Sequence, residues 1–160
     1  MALNRRTLLL SALALPLVSA ASRAAAPVSH EAGLDHIGML VYPGFTALDF
    51  VGPHHFLGNL PGAQVHVVTT QPDLSPVASD LGLMVQPTTT MADCPADLTV
   101  LFVPGGTAGT IAAAQDEQVL EFIADRASRA RYITSVCTGS LVLGAAGVLE
   151  GKRATSHWAT

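Results

Sequence analysis

The sequence predicts an α/β fold in which helices cover both faces of a mostly parallel sheet. Short continuous apolar runs, such as residues 98–103, are typical of strands that are buried on both faces. Segments with helical periodicity separate these runs, which favours crossover connections between parallel strands. A strand also runs into a helix through the tight segment 135–140, where a side chain would stand out at the edge of the sheet.

The elements follow one another along the chain in an alternating order. Strands are predicted at residues 36–42, 64–70, 98–103 and 131–136, with a further strand beginning at 154–157. Helices are predicted at 46–60, 116–130 and 139–149, and a hairpin or small excursion at 76–90. Since proline is tolerated in a first helical turn, the main part of the first helix is expected to begin near Pro53. The chain stops at Thr160 without a returning helix, so we expect a domain whose C-terminal part is missing.

Composition excludes some classes of function. The chain has 160 residues, of which 49% are hydrophobic and 12% charged, which is ample for a packed core. The formal net charge is −4 and no basic patch with interleaved aromatic residues is present, so nucleic acid is not an expected partner. No clustered Cys/His pattern is present, which predicts no metal site.

The first residues resemble an export signal. Arg5 and Arg6 precede an apolar run to about residue 21, which is the pattern of a twin-arginine signal, and small residues suited to cleavage follow. We therefore predict a signal over residues 1–26, a linker over 27–34 and a domain over 35–160. The expected location is the periplasm, without stable membrane association after cleavage. The alternative is an uncleaved anchor, although the run is short for a span of about 20 residues.

Cys137 is the strongest candidate for a reactive residue. It lies between Ser135 and Gly139, and small residues two before and two after the nucleophile are what a tight strand-to-helix turn requires. A helix N-terminus beneath the sulfur favours the thiolate. The alternative is a buried structural cysteine, which is the expected role of Cys94.

Four segments resemble the ThiJ/PfpI superfamily in sequence and in order. They are residues 48–53 (LDFVGP), 103–106 (VPGG), 135–140 (SVCTGS) and 154–158 (ATSHW), and they look most like its isonitrile hydratase branch. The resemblance implies a flavodoxin-like three-layer sandwich with a nucleophile elbow. It also implies a small-molecule substrate, no cofactor and a homodimer.

The resemblance assigns roles to further residues. Asp49 is expected beside the Cys137 sulfur as a proton donor, although an aspartate before a helix can equally be an N-cap. Gly105 and Gly106 end a strand and, with the backbone N–H of Thr138, would form a pocket for developing negative charge. The Thr138 hydroxyl could orient water or substrate, and His157 is expected near the pocket in a secondary role.

The function expected from these residues is that of a cysteine-dependent hydro-lyase that adds water to an isonitrile and gives an N-substituted formamide. Two alternatives remain. One is a non-enzymatic ligand-sensing domain, since relatives of this fold are fused to DNA-binding modules. The other is a redox or stress-protective protein whose cysteine is oxidised.

Overall fold

A computed structural model describes residues 35–159. The predicted export signal at 1–26 and the linker at 27–34 lie outside these described residues. The strands are β1 (Asp35–Val41), β2 (Ala63–Thr69), β3 (Val77–Ala78), β4 (Met84–Val85), β5 (Thr89–Thr90), β6 (Val100–Val103) and β7 (Tyr132–Ser135). The helices are α1 (Ala47–Gly58), α2 (Ala108–Ala113), α3 (Glu117–Ala127) and α4 (Gly139–Ala145).

Five of the strands form one parallel sheet in the order β5-β2-β1-β6-β7. The chain passes from β1 to β2 on one side and then returns to place β6 on the other side of β1. The carboxyl ends of β1 and β6 therefore flank the switch point at which open α/β sheets bind their ligands. The predicted α/β class with a mostly parallel sheet is confirmed, and the predicted excursion at 76–90 contains the antiparallel pair β3 and β4.

The apolar runs that predicted the strands form the core. Every residue of β6 is buried, and Ile37, Met39, Leu40 and Val41 of β1 are fully buried. β7 lies at the edge of the sheet and alternates between exposed and partly buried residues. The most buried strands thus lead directly into the loops that carry the candidate site.

The helix α1 begins earlier than the sequence predicts. It starts at Ala47, and Pro53 lies in its interior instead of its first turn. Phe50 holds the first turn because it is buried and packs edge-on against Phe45, with ring centroids 5.7 Å apart. This burial outweighs the hydrogen bond that Pro53 cannot donate.

Two further elements differ from the prediction. The structure places a short helix, α2, in a segment for which none was predicted, and residues 154–157 form no strand. The predicted helix 139–149 ends at Ala145, because Gly147 adopts a φ of 74° that terminates it. Within residues 35–159, no helix is long and apolar enough to cross a bilayer.

Candidate active site

Cys137 occupies a strained turn between β7 and α4. Its φ is 55°, and it is the one non-glycine residue among those described that has a positive φ. The left-handed conformation costs a residue with a side chain roughly 1–2 kcal/mol, and such strain is maintained where function requires it. A Cβ at Gly139 would come within 2.6 Å of the Pro104 carbonyl oxygen, so the residue two after the cysteine has to be glycine.

Gly105 separates Cys137 from Asp49. A Cβ built on Gly105 would lie 2.6 Å from Asp49 Oδ2 and 2.7 Å from Cys137 Cβ. The carboxyl and the thiol side chain therefore face each other across a glycine that has no room for any side chain. Cys137 is partly buried, which leaves it open to a ligand.

A backbone contact positions Asp49. The N–H of Thr46 donates to the carbonyl oxygen of Gly105 at 2.8 Å, which ties the start of α1 to the loop after β6. Thr46 is the N-cap residue of α1, and Asp49 lies in the first turn. Asp49 Oδ2 is buried and has no hydrogen-bond partner among the described residues. A buried carboxyl oxygen without a donor is costly and calls for a functional explanation, and this oxygen lies across Gly105 from the Cβ of Cys137.

Thr138 is held by several hydrogen bonds. Its Oγ1 donates to the carbonyl oxygen of Gly106 at 2.9 Å and accepts from the N–H of Gly106 at 3.1 Å. Thr110 Oγ1 lies 2.9 Å from the same atom, and Tyr42 Oη lies 3.2 Å from Thr110 Oγ1. The Thr138 hydroxyl is therefore occupied by the protein, and it can orient water or substrate only by exchanging one of these bonds.

The groups expected to stabilise negative charge differ in availability. The N–H of Gly106 is used by Thr138 Oγ1. Among the described residues we find no acceptor for the N–H of Thr138, and the site for a Cβ on Gly105 lies 3.0 Å from that nitrogen. The N–H of Thr138 is thus the backbone donor best placed to serve a ligand beside the cysteine.

A cavity of about 630 Å³ opens over these residues. Cys137, Asp49 and His157 are its titratable lining groups within the described part of the chain, and no lysine or arginine contributes. Its other lining residues are Thr46, Gly106, Thr107, Thr110, Ile111, Thr138, Leu141 and Ala159. The volume is within the range of small-molecule sites, which agrees with a small organic substrate.

His157 lies at this cavity, where the resemblance placed it. The N–H of Ala159 donates to its Nδ1 at 3.2 Å, so in the neutral ring the proton is on Nε2. The preceding residues 154–157 are irregular, so His157 reaches the cavity from a loop instead of the predicted strand.

Six lining residues were not singled out from the sequence: Thr46, Leu141 and Ala159, together with Thr107, Thr110 and Ile111 of α2 and its approach. Thr107 precedes α2 as its N-cap residue, and a threonine before an alanine-rich stretch was the signal available there. In the structure the Thr107 side chain makes no capping hydrogen bond, so the interaction that makes threonine a helix-start signal is absent at this position.

Other chemistry-bearing residues stand apart from the site. Cys94 is buried, burial raises the pKa of its thiol, and the nearby Arg126 partly offsets this. Among residues 35–159 no three His, Cys, Asp or Glu side chains are grouped to hold a metal ion. His36, near the amino end of β1, and His66, in the middle of β2, have ring nitrogens 2.9 Å apart, and neither lines the cavity.

Two proteins of Pseudomonas are similar to this chain. Isonitrile hydratase of Pseudomonas putida is 57% identical over 123 residues, which cover 77% of this chain and 52% of the relative. The crystal structure of a THiJ/PfpI family protein from Pseudomonas syringae is 60% identical, with a TM-score of 0.76 over 79% of this chain and 51% of the other. The chain therefore spans about half the length of these two relatives.

More distant proteins share the fold. An uncharacterised protein encoded in the cpoL 5′ region of Streptomyces lividans is 37% identical over 134 residues, which cover 79% of this chain and 90% of the relative. The oxidised DJ-1 of Toxoplasma gondii has a TM-score of 0.68 at 18% identity, over 76% of this chain and 66% of the other, which shows the fold alone. The DJ-1/PfpI family pattern matches residues 35–160, nearly four-fifths of the sequence. With a parallel α/β sheet, a cysteine on a strained strand-to-helix turn and this match, the chain belongs to the DJ-1/PfpI family.

Proposed function

We propose that this protein is a cysteine-dependent isonitrile hydratase, which adds water to an isonitrile and releases an N-substituted formamide. The observation that carries the proposal is the placement of Asp49 and Cys137 on either side of Gly105, at the floor of a cavity suited to a small molecule. The similarity to the isonitrile hydratase of Pseudomonas putida supports the same reaction.

The two side chains would divide the chemistry between them. The thiolate of Cys137 attacks the terminal carbon of the isonitrile and forms a carbon–sulfur bond, while Asp49 gives a proton to that carbon. The product of this step is a covalent thioimidate. The oxygen of a water molecule then bonds to the same carbon; one proton of this water goes to the nitrogen and the other returns to Asp49 as the carbonyl forms. Breakage of the carbon–sulfur bond releases the formamide and restores the thiolate.

The rest of the cavity suits these steps. The N–H of Thr138 is the donor available for negative charge that develops beside the cysteine. The buried Asp49 Oδ2 has no hydrogen-bond partner among the described residues, so no other protein group competes with the substrate for this oxygen. Neither step requires a metal or an organic cofactor.

The test combines product detection with detection of the covalent intermediate. The full-length protein is incubated with an alkyl isonitrile, and formamide is measured together with the mass of the Cys137 peptide. We expect turnover and a transient adduct at Cys137, both lost in Cys137→Ala and retained in the control Cys94→Ala. Unchanged turnover in Cys137→Ala would overturn the mechanism.

The redox alternative has a separate readout. Treatment with peroxide followed by peptide mass analysis measures oxidation of Cys137. Stable and selective oxidation without any hydration of isonitriles would favour a stress-protective role over the enzyme proposed here.

We also propose that the protein works in the periplasm after twin-arginine export. The support is the Arg5-Arg6 pair with the apolar run that follows it. Cell fractionation of a tagged full-length chain tests this. Arg5→Lys combined with Arg6→Lys should retain the protein in the cytoplasm, whereas periplasmic recovery of that variant would contradict the proposal.

The assembly proposed is a homodimer. Leu48, Val51 and Phe56 on the outward side of α1 are 76%, 48% and 75% exposed, and association of two copies would remove such side chains from water. Light scattering should give twice the chain mass, and Leu48→Glu should lower it, while Leu74→Glu on an exposed loop should not. A monomeric wild-type protein at micromolar concentration would contradict the dimer.

A further inference from the structure

A buried chain of three hydroxyl groups runs behind the Cys137 turn. It begins with Tyr42, immediately after β1, passes through Thr110 of α2, and ends at Thr138, which follows the cysteine. Tyr42 and Thr110 are only 2% and 1% exposed. The chain also touches the loop after β6 at both ends, because Tyr42 Oη donates to the Pro104 carbonyl at 2.6 Å and Thr138 Oγ1 donates to the Gly106 carbonyl at 2.9 Å.

The hydroxyl hydrogens of this chain can be counted. A carbonyl oxygen only accepts, so Tyr42 and Thr138 each use their single hydrogen on a carbonyl. Thr110 has one hydrogen left for two neighbouring oxygens, those of Tyr42 at 3.2 Å and Thr138 at 2.9 Å. The shorter contact is the better hydrogen bond for a hydroxyl donor. Thr110 therefore donates to Thr138.

With this assignment, the protein satisfies every hydrogen-bonding position of the Thr138 hydroxyl. Its Oγ1 accepts from Thr110 and from the Gly106 N–H and donates to the Gly106 carbonyl, so both lone pairs and the hydrogen are used. A strained residue keeps its conformation only where its surroundings hold it. Cys137, with its φ of 55°, is adjacent to Thr138 and gains this support.

We propose that Thr110 is a positioning residue for the reaction at Cys137. By donating its hydroxyl hydrogen to Thr138 Oγ1, Thr110 fixes the Thr138 side chain and the Gly106 peptide, and so keeps the Thr138 N–H directed at the ligand beside the cysteine. This inference rests on the proposed hydratase function for its kinetic readout. It extends that function to a residue on α2, an element that carries no nucleophile or acid.

The test compares three substitutions of buried or partly buried hydroxyl residues. Thr110→Val removes the hydroxyl at nearly constant volume, and Thr110→Ser keeps it. Thr69→Val is the matched control, because Thr69 is fully buried, accepts one backbone hydrogen bond and does not line the cavity. Loss of one positioning hydrogen bond should lower kcat for isonitrile hydration by about tenfold in Thr110→Val. KM should change less than kcat, Thr110→Ser should recover most of the rate, and Thr69→Val should keep the wild-type kcat.

A second measurement does not depend on the hydratase reaction. The alkylation rate of Cys137 by iodoacetamide is followed across pH by peptide mass analysis in the same proteins. We expect the pH profile to differ from wild type in Thr110→Val, and to match wild type in Thr110→Ser and Thr69→Val. If Thr110→Val does not fold, Thr110→Ala, which crowds the site less, takes its place.

The two readouts separate the possible failures. If no isonitrile is hydrated by the wild-type protein but the alkylation profile still shifts in Thr110→Val, the proposed function fails and the positioning role stands. If the wild-type protein is active and Thr110→Val matches Thr69→Val in kcat and in alkylation, the positioning role of Thr110 is overturned. A parallel loss in Thr110→Ser and Thr110→Val would also overturn it, because the hydroxyl would then not be the feature that matters.

Discussion

Asp49 and Cys137 approach each other so closely across Gly105 that a single added methyl group would touch both, at 2.6 Å from Oδ2 of the acid and 2.7 Å from Cβ of the cysteine. The acid comes from the first turn of α1 and the cysteine from the turn before α4. The distance between the two side chains is therefore determined by three loops at the carboxyl edge of the sheet. It also depends on the absence of a side chain at Gly105.

Gly105→Ala should disable the site while leaving the fold in place. The new methyl group would force Asp49 and Cys137 apart, and displacement of reacting groups by about 1 Å can lower rates about a hundredfold. Formamide production gives the rate, and circular dichroism checks the fold. Gly144→Ala is the control, because a Cβ there meets nothing within 4 Å, and this change in α4 should leave activity intact. Wild-type activity in Gly105→Ala would contradict the arrangement described here.

Asp49→Asn should lower kcat by about 10²- to 10⁴-fold, the usual contribution of a positioned general acid. The amide has the same shape but cannot deliver a carboxyl proton. The control is Asp80→Asn, since Asp80 accepts from Thr46 Oγ1 in the same region and does not line the cavity. A loss confined to Asp80→Asn would show that the loop, and not the acid, matters.

Tyr42 should make the protein lose stability in strong alkali. Burial raises the pKa of Tyr42 from 10.0 to about 12; the polar Thr110 hydroxyl beside it opposes this rise, and the charges of Asp49 and Cys137 add to it. The unfolded chain loses the Tyr42 proton at a lower pH than the folded protein does. The contribution of Tyr42 to the free energy of unfolding is therefore fully present below pH 10 and is lost as the pH rises to 12. It amounts to about 3 kcal/mol.

Urea unfolding at several pH values checks this contribution. Tyr42→Phe cannot ionise, so its unfolding free energy should depend less on pH between 10 and 12 than that of the wild-type protein. Equal slopes in the two proteins would contradict the burial of an un-ionised Tyr42.

His66 should contribute to instability in acid. Burial and the neighbouring His36 lower the pKa of His66 below its usual 6.5. The unfolded chain then takes up a proton more readily, so this stabilising contribution is present above pH 6.5 and is lost as the pH falls through the lowered pKa. His66→Gln should flatten the fall in unfolding free energy below pH 6.5. Urea unfolding at several pH values measures this slope, and an unchanged slope in His66→Gln would contradict the prediction.

The sequence was sufficient to predict the parallel sheet and the cysteine turn, because both depend on local patterns. Buried strands are continuous apolar runs, and the turn requires small residues at fixed distances from Cys137. Gly105 could be placed at the carboxyl edge of the sheet because it follows a buried strand, whereas the expectation that Asp49 lies beside Cys137 came from the resemblance to the ThiJ/PfpI superfamily.

What the sequence could not show depends on contacts between distant residues. Thr110 lies among small residues that have no periodicity of their own, and its importance comes from Tyr42 and Thr138, 68 and 28 positions away. Pro53 has the pattern of a helix start, yet the burial of Phe50 extends the helix in front of it. In both cases contacts with residues distant in sequence, and not the local pattern, determine the structure or the role of the residue.

The parallel order of the sheet has a consequence for how the protein acquires activity. Each neighbouring pair β2–β1, β1–β6 and β6–β7 joins strands separated by a crossover, so pairing requires closure of long loops, which slows folding. The candidate site draws one group from each of the three segments that follow β1, β6 and β7. Recovery of activity during refolding should therefore report the completion of the last strand pairing, later than signals from individual helices.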